Sequence, residues 1–245
     1  FRRYTSQGMV WRILSWFLNR QDERTVRKFA RFVVLTHEDR EDWGNRANMM
    51  VIPNPCIIKT DETADWNVRR VIAVGRHNVQ KGFDRLVDSW KMVHRFYPDW
   101  TLEIFGEGDL KVLLQHKIDT LGLGNTIFLK SVTTHITDEY LNSSVFVLPS
   151  KYEGLPLVLM EAMECGLPAV AFKCKCGPRD LIEDGKNGLL VENGDIDGFA
   201  KALMKLMGDP DLRKEIGLEA KRSMAAYTEE NIMKRWEGLF RELMG

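Results

Sequence analysis

Short apolar runs alternate along this chain with stretches in which apolar residues return every three or four positions, a pattern that predicts strands and helices in turn. Val71 to Val74 is the first run, and Phe83, Leu86, Val87, Trp90 and Val93 follow at helical spacing until Pro98 stops them. A strand over 101–105 closes on Gly106-Glu107-Gly108, a helix covers 110–121, and Ile127-Phe128-Leu129 makes a short strand. A small helix over 137–143 leads to Val145-Phe146-Val147-Leu148, a continuous apolar run of the kind that forms a parallel strand buried on both faces. Pro149-Ser150 ends that run. The helix expected over 155–164 carries Pro156 in its first turn, where a missing N–H costs nothing, and Gly166 just past its end. Ala169-Val170-Ala171-Phe172 is the next strand, and 179–183 a short helix. Asp195 caps a helix over 196–207, Asp209-Pro210 begins another, and Thr228 opens a last one through Met244. This alternation argues for an α/β fold with a Rossmann-like parallel sheet flanked by helices.

The order strand, loop, helix, strand around 145–172 gives that stretch chemical meaning, because ligands of open α/β sheets collect outside the carboxyl ends of the strands. Glu153 lies on the loop, and Glu161 follows one to two turns into the helix. The backbone N–H groups of Gly154, Leu155 and Leu157 stand at the positive end of the helix, where a phosphate or a sugar hydroxyl is welcome, and Gly154 lets a ligand approach the main chain. A second acidic residue at the position of Glu161 suits ribose hydroxyls, as in dinucleotide sites. Two glutamates at this spacing are ordinarily solvated surface residues, so their context carries the reading.

That context is extensive. Pro149-Ser150-Lys151-Tyr152-Glu153-Gly154-Leu155-Pro156-Leu157 is followed by Glu161-Ala162-Met163-Glu164-Cys165-Gly166-Leu167-Pro168-Ala169-Val170. Gly177-Pro178-Arg179-Asp180-Leu181-Ile182 and Asp184-Gly185-Lys186-Asn187-Gly188-Leu189-Leu190-Val191 come later, with a strand-then-Gly75-Arg76 element and Lys81-Gly82 upstream. On these residues the chain resembles the retaining glycosyltransferases of family 4, two-domain enzymes of the GT-B fold with an E-x7-E signature, over roughly residues 50–245. The resemblance implies that residues 56–245 are a nucleotide-sugar donor-binding domain, and residues 1–55 a remnant of the N-terminal acceptor domain with its linker. It implies a retaining hexosyltransferase that moves a sugar from a nucleotide-sugar, with UDP favoured and GDP as the alternative, to a glycan or lipid-linked acceptor. Neither a metal nor another cofactor is expected. The readings kept beside it are a nucleotide-sugar binding module without transferase activity and a same-fold nucleotide-sugar epimerase.

Residue by residue, the resemblance casts Glu153 as the catalytic-site carboxylate that orients the transferred sugar, and Glu161 as the ribose contact. Arg76 and Lys81 share one loop at a strand's carboxyl end, and the resemblance gives them the donor diphosphate, Arg by bidentate contact and Lys as a point charge. The base is expected near Leu129-Lys130-Ser131-Val132, with Val132 the chosen contact and Lys130 and Thr133 as side-chain alternatives. The family's usual glycine is missing at that turn. A carboxylate nucleophile, as in retaining glycosidases, is the mechanistic alternative for Glu153, whereas the resemblance implies attack by the acceptor on the face the nucleotide leaves.

Composition narrows this picture without redirecting it. With 35 basic and 35 acidic residues among 245, the formal charge is zero, which removes a global case for nucleic-acid binding. No stretch of 18 apolar residues and no signal peptide is visible, so a cytoplasmic placement is expected. Cys56, Cys165, Cys174 and Cys176 form neither a disulfide framework nor a paired zinc signature. Gly106-Glu107-Gly108 begins like a dinucleotide fingerprint, but Lys111 stands where the third glycine belongs, and there is no phosphate loop of the NTPase type. The chain opens on Phe1-Arg2-Arg3-Tyr4, which reads as the interior of a longer protein, with Phe29 to Thr36 as the edge of a preceding domain and Val51-Ile52-Pro53-Asn54-Pro55 as the linker strand. Within 1–31, Arg2, Arg3, Arg12, Arg20, Arg24, Arg27, Lys28 and Arg31 exceed Asp22 and Glu23 by six, and Val10, Trp11, Ile13, Leu14, Phe17 and Leu18 recur at helical spacing. That stripe fits either packing inside the intact two-domain molecule or a peripheral contact with an anionic bilayer. His37 is expected to be structural rather than an acceptor contact, while His77 sits in the phosphate loop.

Overall fold

A computed structural model describes Asp22 and residues 24–245. The basic apolar stripe expected over 10–18 lies outside the described residues. In chain order the elements are β1 (Phe32–Val34), α1 (His37–Asp42), β2 (Met49–Val51), β3 (Arg70–Val74), α2 (Phe83–Val93), β4 (Thr101–Phe105), α3 (Lys111–Thr120) and β5 (Ile127–Lys130). They continue with α4 (Ile136–Leu141), β6 (Val145–Leu148), α5 (Leu157–Glu164), β7 (Ala169–Phe172), α6 (Pro178–Leu181), β8 (Leu189–Val191), α7 (Ile196–Gly208), α8 (Pro210–Ser223) and α9 (Glu229–Met244).

Strands β3 to β8 form one parallel sheet of six strands in the order β5-β4-β3-β6-β7-β8. The chain therefore builds outward from β3 to one edge, returns to the centre at β6 and builds outward again. The crevice between the carboxyl ends of β3 and β6 is the topological switch point, where sheets of this kind bind their ligands. Both faces of the sheet are covered. Val71, Ala73, Leu102 and Ile104 pack with Trp90 and Phe199 on one side, and Ile72, Phe146 and Leu148 with Leu159 and Met160 on the other. Each Val, Leu, Ile, Phe or Met among them contributes about 1.5–3 kcal/mol on full burial, so the switch point rests on firmly packed strands. Val145-Phe146-Val147-Leu148 is buried at every position, as an unalternating apolar run requires.

Several elements differ from the sequence expectation at their ends. Helix α5 starts at Leu157 rather than Leu155, because Pro156 adopts the extended N-cap conformation (φ −75°, ψ 95°) rather than the first helical turn. α4 runs over Ile136–Leu141 rather than 137–143, and α6 over Pro178–Leu181 rather than 179–183. The edge strand β8 and helix α1 were not anticipated. β8 is only three residues long, and α1 is a single polar stretch with none of its residues buried, started by the Thr36 hydroxyl accepting the Asp39 N–H. Asp195, Asp209 and Thr228 cap α7, α8 and α9 as expected, each accepting a backbone N–H with its side-chain oxygen.

β1 and β2 pair in parallel as a separate two-stranded sheet. Ile52 beyond β2 packs with Ile232 and Leu239 of α9, and Val33, Met50 and Trp236 complete that cluster. The last helix thus lies against the first strands of the described chain.

Candidate functional site

Two loops leave the switch point, one after β3 and one after β6, and they are locked together. Gly82 has φ +65°, and a Cβ there would stand 2.2 Å from the Pro149 carbonyl oxygen, so glycine is required both by conformation and by space. The Lys151 N–H donates to the Gln80 carbonyl at 2.8 Å, and the Gln80 amide donates to the Tyr152 carbonyl at 3.1 Å. The docking brings Lys81 Nζ to 2.7 Å from Glu153 Oε1, and the Ser150 hydroxyl donates to the same oxygen at 2.6 Å. With side-chain exposures of 17% for Lys81 and 6% for Glu153, the pair is largely desolvated. The aliphatic stem of Lys81 lies over Gly75, where a Cβ would come within 3.1 Å of it.

The loops after β3 and β4 are fastened in the same manner. A Cβ on Gly106, at φ +146°, would fall 1.9 Å from the Gly75 carbonyl oxygen, and the His77 N–H donates to the Glu107 carbonyl at 2.8 Å. The glycine pair that begins like a dinucleotide fingerprint therefore serves loop packing. His77 is buried with its ring edge-on to Phe83, at 5.6 Å between centroids. Burial pushes its pKa down, Lys111 adds to the effect and Glu107 opposes it, so the imidazole is neutral and packs the loops together.

Between these loops and α5 opens a cavity of about 550 Å³, whose lining includes Arg76, Gly106, Val132, Thr133, Ile136 and Glu161. The Arg76 guanidinium is exposed and has no ion-pair or hydrogen-bond partner among the described residues. The sequence pairs Arg76 with Lys81 as two phosphate cations, but their states here differ, one free at the cavity mouth and one held by a carboxylate. Val132 is 72% exposed, so it is no core valine, and it lines the cavity together with Thr133. Glu161 is partly buried, and the Tyr140 hydroxyl donates to its Oε2 at 3.0 Å. Burial raises the Glu161 pKa, and the bond from Tyr140 opposes that rise.

Glu153 and Gly154 face a different cavity, of about 420 Å³, opposite Thr36, Asp39 and Trp43 from the first described elements. The two glutamates of the E-x7-E spacing thus open onto different cavities. α1 is pinned across this second cavity: the His37 N–H donates to Asp180 Oδ1 at 2.6 Å, and the Cys176 N–H to Glu38 Oε2 at 2.9 Å. His37 is exposed and is bound through its main chain, in keeping with a structural role. No backbone or side-chain acceptor among the described residues takes the N–H groups of Gly154, Leu155 or Leu157, which remain available at the start of α5. A Cβ on Gly154 would meet nothing within 4 Å, so this glycine leaves open space beside the main chain.

Sequence reasoning passed over Tyr140 and gave Ser150 only a place in the motif. Both hydroxyls hold a glutamate of the site. Ser150 stands three residues before Glu153 and could have been suspected, whereas nothing in the sequence points Tyr140 at Glu161. No group of three or more His, Cys, Asp and Glu side chains among the described residues is arranged to hold a metal ion. Burial pushes the Cys174 and Cys165 thiols up to about 12 and the Cys176 thiol up to about 11, so these side chains stay protonated.

Comparison with known proteins adds an independent line. Residues 58–223 match the family described as Glycosyl transferases group 1. The amylovoran biosynthesis glycosyltransferase AmsD of Erwinia amylovora is 39% identical over 170 residues, which is 69% of this chain and 47% of that protein. The poly(ribitol-phosphate) alpha-N-acetylglucosaminyltransferase of Staphylococcus aureus is 32% identical over 212 residues, 85% of this chain and 43% of that protein. A crystal structure of an S. aureus TarM variant with fondaparinux, alpha-GlcNAc-glycerol and UDP superimposes with a TM-score of 0.83 at 29% identity, covering 91% of this chain and 46% of that one. The chain therefore spans about half the length of the relatives it matches here.

Proposed function

Because the chain belongs to the group 1 glycosyl transferases, as the donor-binding domain of their GT-B fold, we propose that it holds a nucleoside-diphosphate sugar at the switch point of its sheet for transfer of the sugar to a glycan or lipid-linked acceptor. The observation that carries this reading is one cavity lined by both an unpartnered guanidinium, Arg76, and a carboxylate, Glu161, on a helix whose first N–H groups are free. The diphosphate bridges Arg76 and the start of α5, where the helix dipole and open N–H groups favour an anion. Glu161 accepts from the ribose, and Val132 and Thr133 flank the base. UDP is the favoured nucleotide, supported by the UDP in the TarM complex, with GDP as the alternative. No metal is invoked, since charge on the departing diphosphate is met by Arg76, Lys81 and main-chain donors.

Glu153 sits on the loop after β6, paired with Lys81 of the loop after β3, and its role is to hold the transferred sugar and to stabilise positive charge as the glycosidic bond breaks. A carboxylate oxygen already shared by an ammonium at 2.7 Å and a hydroxyl at 2.6 Å is a poor nucleophile, which supports this electrostatic role over a covalent one and favours retention by attack of the acceptor on the face the nucleotide leaves. In the same reading Lys81 does two things, positioning Glu153 and facing the departing phosphate. Acceptor binding, and with it turnover, belongs to the longer protein. No helix among the described residues is long and apolar enough to cross a membrane, and action on a cytoplasmic nucleotide-sugar is part of the proposal, with a peripheral membrane contact for lipid-linked acceptors.

A thermal-shift screen of UDP, GDP and their sugars tests donor binding, since a ligand at one hundred times its dissociation constant stabilises by about 2.7 kcal/mol. UDP and UDP-sugars are expected to raise the melting temperature most, and no shift with any nucleoside diphosphate refutes the reading. In the intact protein, Glu153→Gln is expected to cut turnover at least about a hundredfold, in the range found for removal of a preorganised electrostatic group. Turnover within a few-fold of wild type excludes the role given to Glu153, and donor binding without transfer by the wild type supports a binding module instead.

A further inference from the structure

Tyr140 stands behind the site rather than in it, and its geometry has a use beyond packing. It is fully buried on α4, with its ring edge-on to Phe146 of β6 at 6.1 Å between centroids, so the central strand fixes where the phenol points. Its hydroxyl lies 3.0 Å from Glu161 Oε2 and 3.5 Å from the Val158 carbonyl. A phenol has one proton to donate, and the charged acceptor at the shorter distance takes it. Burial keeps the phenol protonated, its pKa well above the usual range, so Tyr140 acts only as a donor. With Oε2 held, the rotation of the carboxylate is set and Oε1 is left for the cavity that Glu161 lines. The same short helix places Ile136 on that cavity's wall, one turn before Tyr140, so α4 both borders the nucleoside and aims the group that receives it.

We infer that Tyr140 is a positioning residue for nucleotide selectivity: it orients Glu161 so that one carboxylate oxygen recognises a ribose hydroxyl of the bound nucleotide. The inference rests on the donor site proposed above. A loose carboxylate can still collect a hydroxyl, but the rotational freedom must then be surrendered on binding, which lowers affinity for the hydroxylated ligand and leaves a deoxy analogue unaffected. A residue that merely shaped the pocket would weaken both ligands alike. Removing a contacted hydroxyl from the ligand, in contrast, leaves a buried acceptor unpaired and is costly in a site built to bind it.

The test measures UDP, 2′-deoxy-UDP and 3′-deoxy-UDP by calorimetry on wild type, Tyr140→Phe, Glu161→Ala and the double variant. Wild type is expected to bind UDP at least about tenfold more tightly than one of the deoxy analogues. Tyr140→Phe is expected to weaken UDP by about threefold to tenfold, the range of a single hydrogen bond, while the affinity for that analogue barely moves, so the ratio contracts. In the Glu161→Ala background the loss from Tyr140→Phe should vanish, because the side chain through which it reaches the ligand has gone. If Tyr140→Phe melts too early to assay, Glu161→Asp, which draws the carboxylate back from the hydroxyl, should contract the same ratio. Equal weakening of UDP and both analogues, or no weakening of UDP, overturns the inference while leaving the donor site intact. Failure of the wild type to bind UDP, or to distinguish it from either analogue, overturns the reading of the site and this inference with it.

Discussion

Replacing Lys81 by methionine keeps the aliphatic stem over Gly75 and removes only the ammonium, which isolates the ion pair with Glu153 from the packing of the loop. The carboxylate is then left with the Ser150 hydroxyl as its side-chain donor, at 2.6 Å, in a position where its side chain is only 6% exposed. Breaking a fully buried pair by removing one partner costs about 3–5 kcal/mol. Lys81 retains 17% exposure and Ser150 retains its bond, so the smaller value of about 2–3 kcal/mol applies here. For a domain of this size that corresponds to a fall in melting temperature of about 5–10 °C by calorimetry or circular dichroism. Adding Glu153→Gln removes the uncompensated charge, so the double variant should melt above Lys81→Met. The two substitutions should be coupled, since two unrelated lesions would add. A Lys81→Met protein that melts within about 1 °C of wild type, or a double variant less stable than the single one, refutes the claim that this pair is desolvated and mutually dependent.

Two further outcomes follow from the loops around the site. Gly82→Ala puts a Cβ 2.2 Å from the Pro149 carbonyl at a left-handed backbone angle, and a loss of at least about 2 kcal/mol with weakened UDP binding is expected from urea titration and calorimetry, whereas an unchanged midpoint shows that the two loops are not locked. His77 has its pKa lowered from 6.5 by burial, so the unfolded chain takes up more protons as pH falls below that value; its contribution is complete above 6.5 and is lost as pH drops toward the folded-state value. Melting temperature should therefore decline between about pH 7 and pH 5, and His77→Phe should flatten that decline; an equal slope in the variant assigns the acid sensitivity elsewhere.

The parts of this molecule that were legible in the chain are those written in local chemistry. Val145-Phe146-Val147-Leu148 announces a central strand because burial on both faces leaves no room for polar alternation, and Asp195, Asp209 and Thr228 announce helices because their side chains satisfy N–H groups only three residues away. Helix α1 and strand β8 escaped because one is short and unburied and the other is three residues at a sheet edge, where packing rather than propensity decides. In the site, the motif pointed to Glu153, Gly154 and Glu161, and the loop pointed to Arg76. What it could not convey were contacts between distant positions. Lys81 reaches Glu153 across 72 residues because strands β3 and β6 lie side by side, and Tyr140 reaches Glu161 across 21 because the helices before and after β6 pack together. The same dependence separates the roles of two cations that look equivalent in sequence, since only one of them lies within reach of a carboxylate.

Donor binding at this crevice depends most on Arg76, the exposed cation left unpartnered at the mouth of the larger cavity. Calorimetric titration of UDP into wild type and Arg76→Ala, with melting temperatures measured in parallel, addresses it directly. A lost charge-assisted contact to phosphate should lower affinity by about tenfold to a hundredfold, and stability without ligand should be unchanged because the side chain holds nothing in the folded protein. Equal affinity of the two proteins for UDP would contradict the placement of the diphosphate at this crevice.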